Sequence, residues 1–231
     1  MPCRYGSQFF LNPADYIDDF VIREGFYESE VLEAVRPALG PGAVLWVVGC
    51  NFGLHAVTAK WLHPDARVVA FEPLPAMGAR LQENCDLNGV DVELHAYALA
   101  DSAGVLPFFV NTAGNPAMST LHPDPAGVYD LRLTVATLPA TEVVARGLAP
   151  APTVAIIDAE GAETEVLRGF GPLLGNAALR QIVLEAPNDF LETHVPAGLF
   201  QALSSAGFNL RRLERREKTA HGLSNFSATR P

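Results

Sequence analysis

The chain is poor in several residue types, and each shortage removes a class of protein. It has only three cysteines, Cys3, Cys50 and Cys85, an odd number with no C-x-x-C spacing. Neither a disulfide framework nor a zinc site is indicated. Six histidines form no H-E-x-x-H pattern, so no bound metal is expected. Cations are scarce: 16 Lys and Arg against 26 Asp and Glu leave a net charge of −10. That balance argues against a protein that grips nucleic acid phosphates or an anionic membrane. No apolar run approaches the ~20 residues a membrane helix requires. The N-terminus also lacks a basic region followed by a long apolar segment, so no signal peptide is read there. A soluble, cytoplasmic protein is the expectation.

What the chain does have is apolar material. Its 231 residues are 49% hydrophobic, enough for one large α/β domain with a buried core. Residues 1–40 read as an N-terminal segment and helix packed on that core, and 41–231 as the main domain. The first 27 residues are irregular and aromatic-rich, and are expected to pack on the domain or near a ligand mouth. Residues 28–39 read as a helix stopped by Pro41-Gly42. Apolar runs at 44–48, 68–71, 154–158 and 182–185 read as buried strands. Helices are expected at 75–87, 140–146, 162–170 and 196–206, with further strands at 90–98, 105–110 and 127–138. Two strands finish the chain. Strands alternating with helices predict a three-layer, Rossmann-like fold with a mostly parallel seven-stranded sheet and an antiparallel edge strand.

The most informative stretch is Val44-Leu-Trp-Val-Val-Gly-Cys-Asn-Phe-Gly53. A buried strand runs into a turn bracketed by Gly49 and Gly53, and a helix with Leu54, Val57 and Trp61 on one face follows. The glycines are read as allowing a tight turn and close approach of the backbone to a ligand. A second strand, Val68-Val-Ala-Phe-Glu-Pro73, ends in Glu72, nineteen residues after Gly53. An acid at that strand tip suits two vicinal ribose hydroxyls. A dinucleotide would call for G-x-G-x-x-G, so that a helix N-terminus can hold the pyrophosphate. Here the spacing is G-x-x-x-G, and no Lys or Arg lies between Val44 and Ala59. The pattern points to S-adenosylmethionine rather than NAD.

Three motifs in order, Gly49-Cys-Asn51-Phe-Gly53, Phe71-Glu72-Pro73 and Ile157-Asp158-Ala-Glu160-Gly161-Ala-Glu163, resemble the FkbM-type methyltransferases over roughly residues 44–208. The resemblance implies a class I fold, S-adenosylmethionine as cofactor, and O-methylation of a hydroxyl or carboxyl on a small metabolite or natural product. It also implies that Gly49, Asn51 and Gly53 lie along the methionine half, that Glu72 holds the ribose, and that Asp158 ends a strand beside the reaction centre. Two departures stand out. Val47 replaces the acid usual two residues before the first glycine, removing the usual anchor of the cofactor's amino end. Ala155-Ile156 replaces a frequent lysine, which points to an altered substrate.

A hydroxyl acceptor calls for a general base, because a neutral alcohol is a poor nucleophile. Candidates are Asp158 and Glu160 at a strand's carboxyl end, and His122 and His194 in irregular segments expected at the same edge. Cys50, His55, Pro73, Ala98 and Ser119 join Gly49, Asn51, Gly53, Glu72 and Asp158 as cofactor candidates. Glu163 is expected to bond within a helix first turn, and Glu185 to face the acceptor or serve structure. Residues 111–127, with three prolines, read as a substrate-covering loop. Arg211, Arg212, Arg215, Arg216 and Lys218, interleaved with Glu214 and Glu217, read as a solvated face. The expected partner is a small-molecule acceptor, with no nucleic acid or membrane, and homo-oligomerisation is left open. The competing readings are an inactive methyltransferase-fold binding protein and an NAD-type oxidoreductase.

Overall fold

Alternation along the first strand, β1 (Val44–Val48), sorts the core into two layers. Successive strand side chains point to opposite faces. Leu45 and Val47 therefore join one buried cluster, and Trp46 and Val48 the other. The same sorting recurs on the neighbouring strands: Val68 and Ala70 lie on the first face, Val69 and Phe71 on the second. Strands buried on both faces read as continuous apolar runs, as parallel strands between helix layers must.

The computed structural model describes residues 1–112, 115–124, 126–214 and 222–230. In chain order the helices are α1 (Tyr16–Glu24), α2 (Ser29–Val35), α3 (Leu54–Leu62), α4 (Pro75–Asn88), α5 (Ala140–Ala145), α6 (Glu163–Phe170), α7 (Phe190–Thr193) and α8 (Ala197–Ser205). The strands after β1 are β2 (Arg67–Phe71), β3 (Glu93–His95), β4 (Ala98–Leu99), β5 (Gly104–Val110), β6 (Leu131–Leu138), β7 (Val154–Ile157), β8 (Gln181–Pro187), β9 (Asn209–Arg212) and β10 (Leu223–Thr229). The main sheet has seven strands in the order β3-β2-β1-β7-β8-β10-β9. It is parallel through β8, and β10 runs antiparallel between β8 and β9. Helices α2, α3 and α4 pack on one face, and α5, α6 and α8 on the other. Phe9, Val21 and Phe26 from the first 27 residues are buried in the first cluster.

Several sequence expectations are corrected. The strand read over 90–98 is two short strands in different sheets. β3 pairs with β2, the chain turns at Ala96-Tyr97, and β4 joins β6 and β5 in a separate three-stranded sheet. The irregular N-terminal segment contains α1, and the α-helix expected over 28–39 stops at Val35. Pro37 has no N–H to continue the ladder, so the chain tightens into a 3-10 turn over Arg36–Ala38. Trp61 is 44% exposed and does not share the buried face of Leu54 and Val57. Of the mixed-charge run, Arg211 and Arg212 lie on exposed positions of β9, whereas Arg215, Arg216, Glu217 and Lys218 lie outside the described residues. No helix among the described residues is long and apolar enough to cross a membrane.

Candidate active site

The carboxyl ends of β1, β2, β7 and β8 meet beneath a cavity of about 380 Å³. Open α/β sheets bind ligands at this edge. Its floor is the turn after β1. Gly49 has φ 74°, and a Cβ placed there would sit 1.8 Å from the Asp158 carbonyl oxygen. Gly53 has φ 91°, and its Cβ would fall 2.9 Å from Leu81 Cγ on α4 and 3.2 Å from Val57 Cγ2. The demand for glycine at both positions thus comes from the protein's own packing, of turn against β7 and of turn against α4. The sequence suggests a tight turn and close approach of a ligand as the reasons; the positive φ values agree with the tight turn, and the close neighbours are the protein's own atoms.

Between these glycines the chain reaches across to β2. The Asn51 N–H donates to Glu72 Oε2 at 2.8 Å, and the Leu74 N–H donates to Glu72 Oε1 at 2.9 Å. Both carboxylate oxygens are therefore oriented before any ligand arrives. Burial pushes Glu72 up to about 7, against the opposing pull of these two N–H groups. Pro73, Ala98 and Cys50 line the same cavity. Burial, with the charge of Glu72, raises the Cys50 thiol well above its ordinary value, which leaves it no nucleophile.

Asp158 directly follows β7, its N–H donating to the Val48 carbonyl at 3.0 Å, and it lines the cavity beside Glu160 and Glu185. Burial raises Glu160 far above the carboxylate range, and the charges of Asp158, Glu185, Glu163 and Glu28 push it the same way. Glu160 has φ 48°. Its turn is fixed by Glu163, whose Oε1 accepts from the Ala159 N–H at 3.0 Å and the Gly161 N–H at 3.2 Å. On the other side Thr120 Oγ1 donates to the Glu160 carbonyl at 2.6 Å. That bond anchors the segment carrying Ser119, whose hydroxyl donates to the Pro116 carbonyl at 2.7 Å. Asn115, in the same segment, lines the cavity with a buried Oδ1 that has no hydrogen-bond partner among the described residues.

The far wall comes from the start of α1 and from the connection between α1 and α2. Tyr16, Ile17, Tyr27 and Glu28 all line the cavity. Glu28 is 6% exposed and has φ 52°. Its carbonyl accepts from His55 Nε2 at 3.3 Å, which assigns the hydrogen to that nitrogen. Burial lowers His55 to about 4, so the ring is neutral, and its edge meets Phe26 at 5.5 Å. Among the described residues, four non-glycine residues have positive φ, and three of them, Glu28, Asn51 and Glu160, line this one cavity. Such backbone conformations gather at ligand sites.

Not every candidate comes to the cavity. His122 is half exposed, with Nε2 3.7 Å from Glu165 Oε1. His194 is exposed and stacks on Phe200, with ring centroids 3.7 Å apart. Neither lines the cavity. Conversely, Glu28, Tyr16, Asn115 and Leu223 line it without having been singled out from sequence. The aromatic density before residue 28 was the one signal that the N-terminal segment lies near the mouth.

No family model matches the sequence. The chain is 32% identical over 169 residues to the hexuronic acid methyltransferase AglP of Haloferax volcanii, an alignment spanning 72% of this chain and 65% of the relative. It is 35% identical over 99 residues to the 31-O-demethyl-FK506 methyltransferase FkbM of Streptomyces tacrolimicus, covering 42% of this chain and 37% of that one. The chain thus spans less than two thirds of the length of these curated relatives. Magnesium protoporphyrin IX methyltransferase from Synechocystis, solved with bound SAM, shares the fold with a TM-score of 0.52 at 15% identity, over 99% of this chain and 88% of that one.

Proposed function

This chain is a relative of the FkbM-type methyltransferases with a class I methyltransferase fold, and on that premise we propose that it methylates a hydroxyl or carboxyl of a small acceptor, using S-adenosylmethionine. The observation that carries the reading is the lining of the cavity. Six carboxyl side chains, Glu28, Glu72, Asp124, Asp158, Glu160 and Glu185, face it, and no Lys or Arg does among the described residues. A pyrophosphate would be repelled there, whereas a sulfonium cation is favoured. The fit extends to the ribose, which Glu72 suits, and to the orphaned Asn115 Oδ1, which suits a ligand N–H or O–H.

When bound, the cofactor supplies a methyl already activated on sulfur, so the protein's share is alignment and removal of water. Glu72 and the Gly49–Gly53 turn orient one end of the ligand. Glu160, kept protonated by burial and by the neighbouring carboxylates, is available to donate a hydrogen bond to the acceptor. Asp158, at the strand end, is the carboxylate assigned to take the acceptor's proton. Asp158→Asn should then lower kcat by about 10²-fold or more, whereas near-normal turnover would remove Asp158 from that role. Calorimetry supplies the first test of the whole reading. S-adenosylhomocysteine should bind and NAD should not. The reverse result would move the protein to the dinucleotide-dependent oxidoreductases, and binding without turnover across hydroxylated and carboxylated metabolites would favour an inactive binding protein.

A further inference from the structure

We infer that Glu28, from the connection between α1 and α2, binds the α-ammonium of the cofactor's methionine half. The assignment rests on the cofactor reading above and follows from where the two ends of that ligand must lie. Glu72 sits on the β2 side of the Gly49–Gly53 turn, tied to it through the Asn51 N–H. Pro73, Met77, Ala98 and Leu99, mostly apolar, line the cavity with it and suit the flat adenine. A ligand whose ribose is held at Glu72 therefore extends its amino-acid end along the turn, away from β2.

At that end the protein offers two matched features. One is the start of α3, which has no acid in its first turn and leaves its first N–H groups without intrahelical acceptors, an arrangement that favours a carboxylate. The other is Glu28. It lines both the main cavity and a small pocket of about 20 Å³ beneath the turn, which His55 and Asp158 share. Val47 also lines that pocket, and its apolar side chain gives an ammonium nothing. Glu28 is held for the task through its main chain: a left-handed backbone that disfavours most side chains, with its carbonyl bonded to His55, itself neutral and set against Phe26. A residue fixed in this way lines the cavity without any loop rearrangement.

Two probes that differ in the amino-acid group test the assignment: S-adenosylhomocysteine and 5′-methylthioadenosine, which lacks both ammonium and carboxylate. In Glu28→Gln, affinity for S-adenosylhomocysteine should fall by at least about tenfold while that for 5′-methylthioadenosine changes by less than about twofold. Glu28→Asp, which keeps the charge on a shorter arm, should lie between wild type and Gln. Loss of both ligands together in the Gln and Asp variants would make Glu28 a packing residue and overturn the assignment. So would unchanged affinity for both, or selective loss in Asp158→Asn with Glu28→Gln normal. Failure of the wild-type protein to bind either nucleoside would instead refute the cofactor reading on which the assignment rests.

Discussion

The two walls of the cavity are tied to the sheet to different degrees. On the β2 side, every support is main chain or is fixed by it. The Gly49 N–H donates to the Phe71 carbonyl at 3.0 Å, and Glu72 has both oxygens on backbone N–H groups. On the opposite side, the segment carrying Asn115 and Ser119 is fastened by a two-residue bridge, Phe109 to Thr120, by the Asn111 N–H on Ser119 Oγ at 3.3 Å, and by the Thr120 hydroxyl on the Glu160 carbonyl. The first wall is part of the sheet. The second is a strap over it. In the proposed reaction the cofactor belongs against the former and the acceptor beneath the latter, which fewer bonds hold among the described residues.

The strongest way to break this contrast is at Gly49. Gly49→Ala forces a side chain into the Asp158 carbonyl at positive φ, and should cost roughly 3–5 kcal/mol in urea unfolding. A loss below about 1 kcal/mol would mean that β1 and β7 are less tightly joined than the main-chain approach implies.

Glu72 comes next, and pH is the sharper probe. Ribose hydroxyls need the ionised carboxylate, and the buried group titrates at about 7 in the unliganded protein. S-adenosylhomocysteine affinity should therefore fall toward tenfold per unit as pH drops below about 7, and Glu72→Gln should flatten that profile while weakening binding at high pH. The effect on the fold has the opposite sign. A Glu raised from 4.5 to about 7 lends stability that is fully present below 4.5 and is lost as pH rises through about 7. An affinity independent of pH in the wild type would remove Glu72 from the ribose.

Smaller effects belong to the strap. Thr120→Val loses the bond to the Glu160 carbonyl and the one accepted from the His122 N–H, about 1 kcal/mol each, and should raise the acceptor KM severalfold while cofactor affinity stays unchanged. A fall in cofactor affinity instead would show that the two walls are not independent. Smallest of all are His122→Ala and His194→Ala, which should leave turnover within about twofold because both rings lie outside the cavity. A loss near 10²-fold in either would restore that histidine as a general base.

The same contrast explains what could be read in advance. The β1 turn and Glu72 are legible because their neighbours in space are also neighbours in a short, regular pattern: strand, turn, helix, strand tip. Asp158 is legible for the same reason. Glu28 is not, since nothing local couples position 28 to His55, and the pairing exists only once α2 packs on α3's side of the sheet. The separate sheet of β4, β5 and β6 escapes notice because alternation over 90–98 is uninterrupted in sequence, while the chain leaves one sheet for another after His95. Glycines carry a further ambiguity: spacing announces that a side chain is excluded, but not whether a ligand or a carbonyl excludes it.

That ambiguity has a consequence for how such a site can diversify. Gly49 and Asp158 are in contact through bare backbone, with no side chain between them to change rotamer or length. In the proposed reaction, the platform under the methyl donor and the carboxylate that takes the proton are therefore two faces of one joint. The separation of their two main chains is a fixed dimension of the scaffold, unaffected by the choice of residues around the acceptor. Substitutions in the strap or near Tyr16 can reshape what is admitted without retuning the spacing on which the chemistry depends.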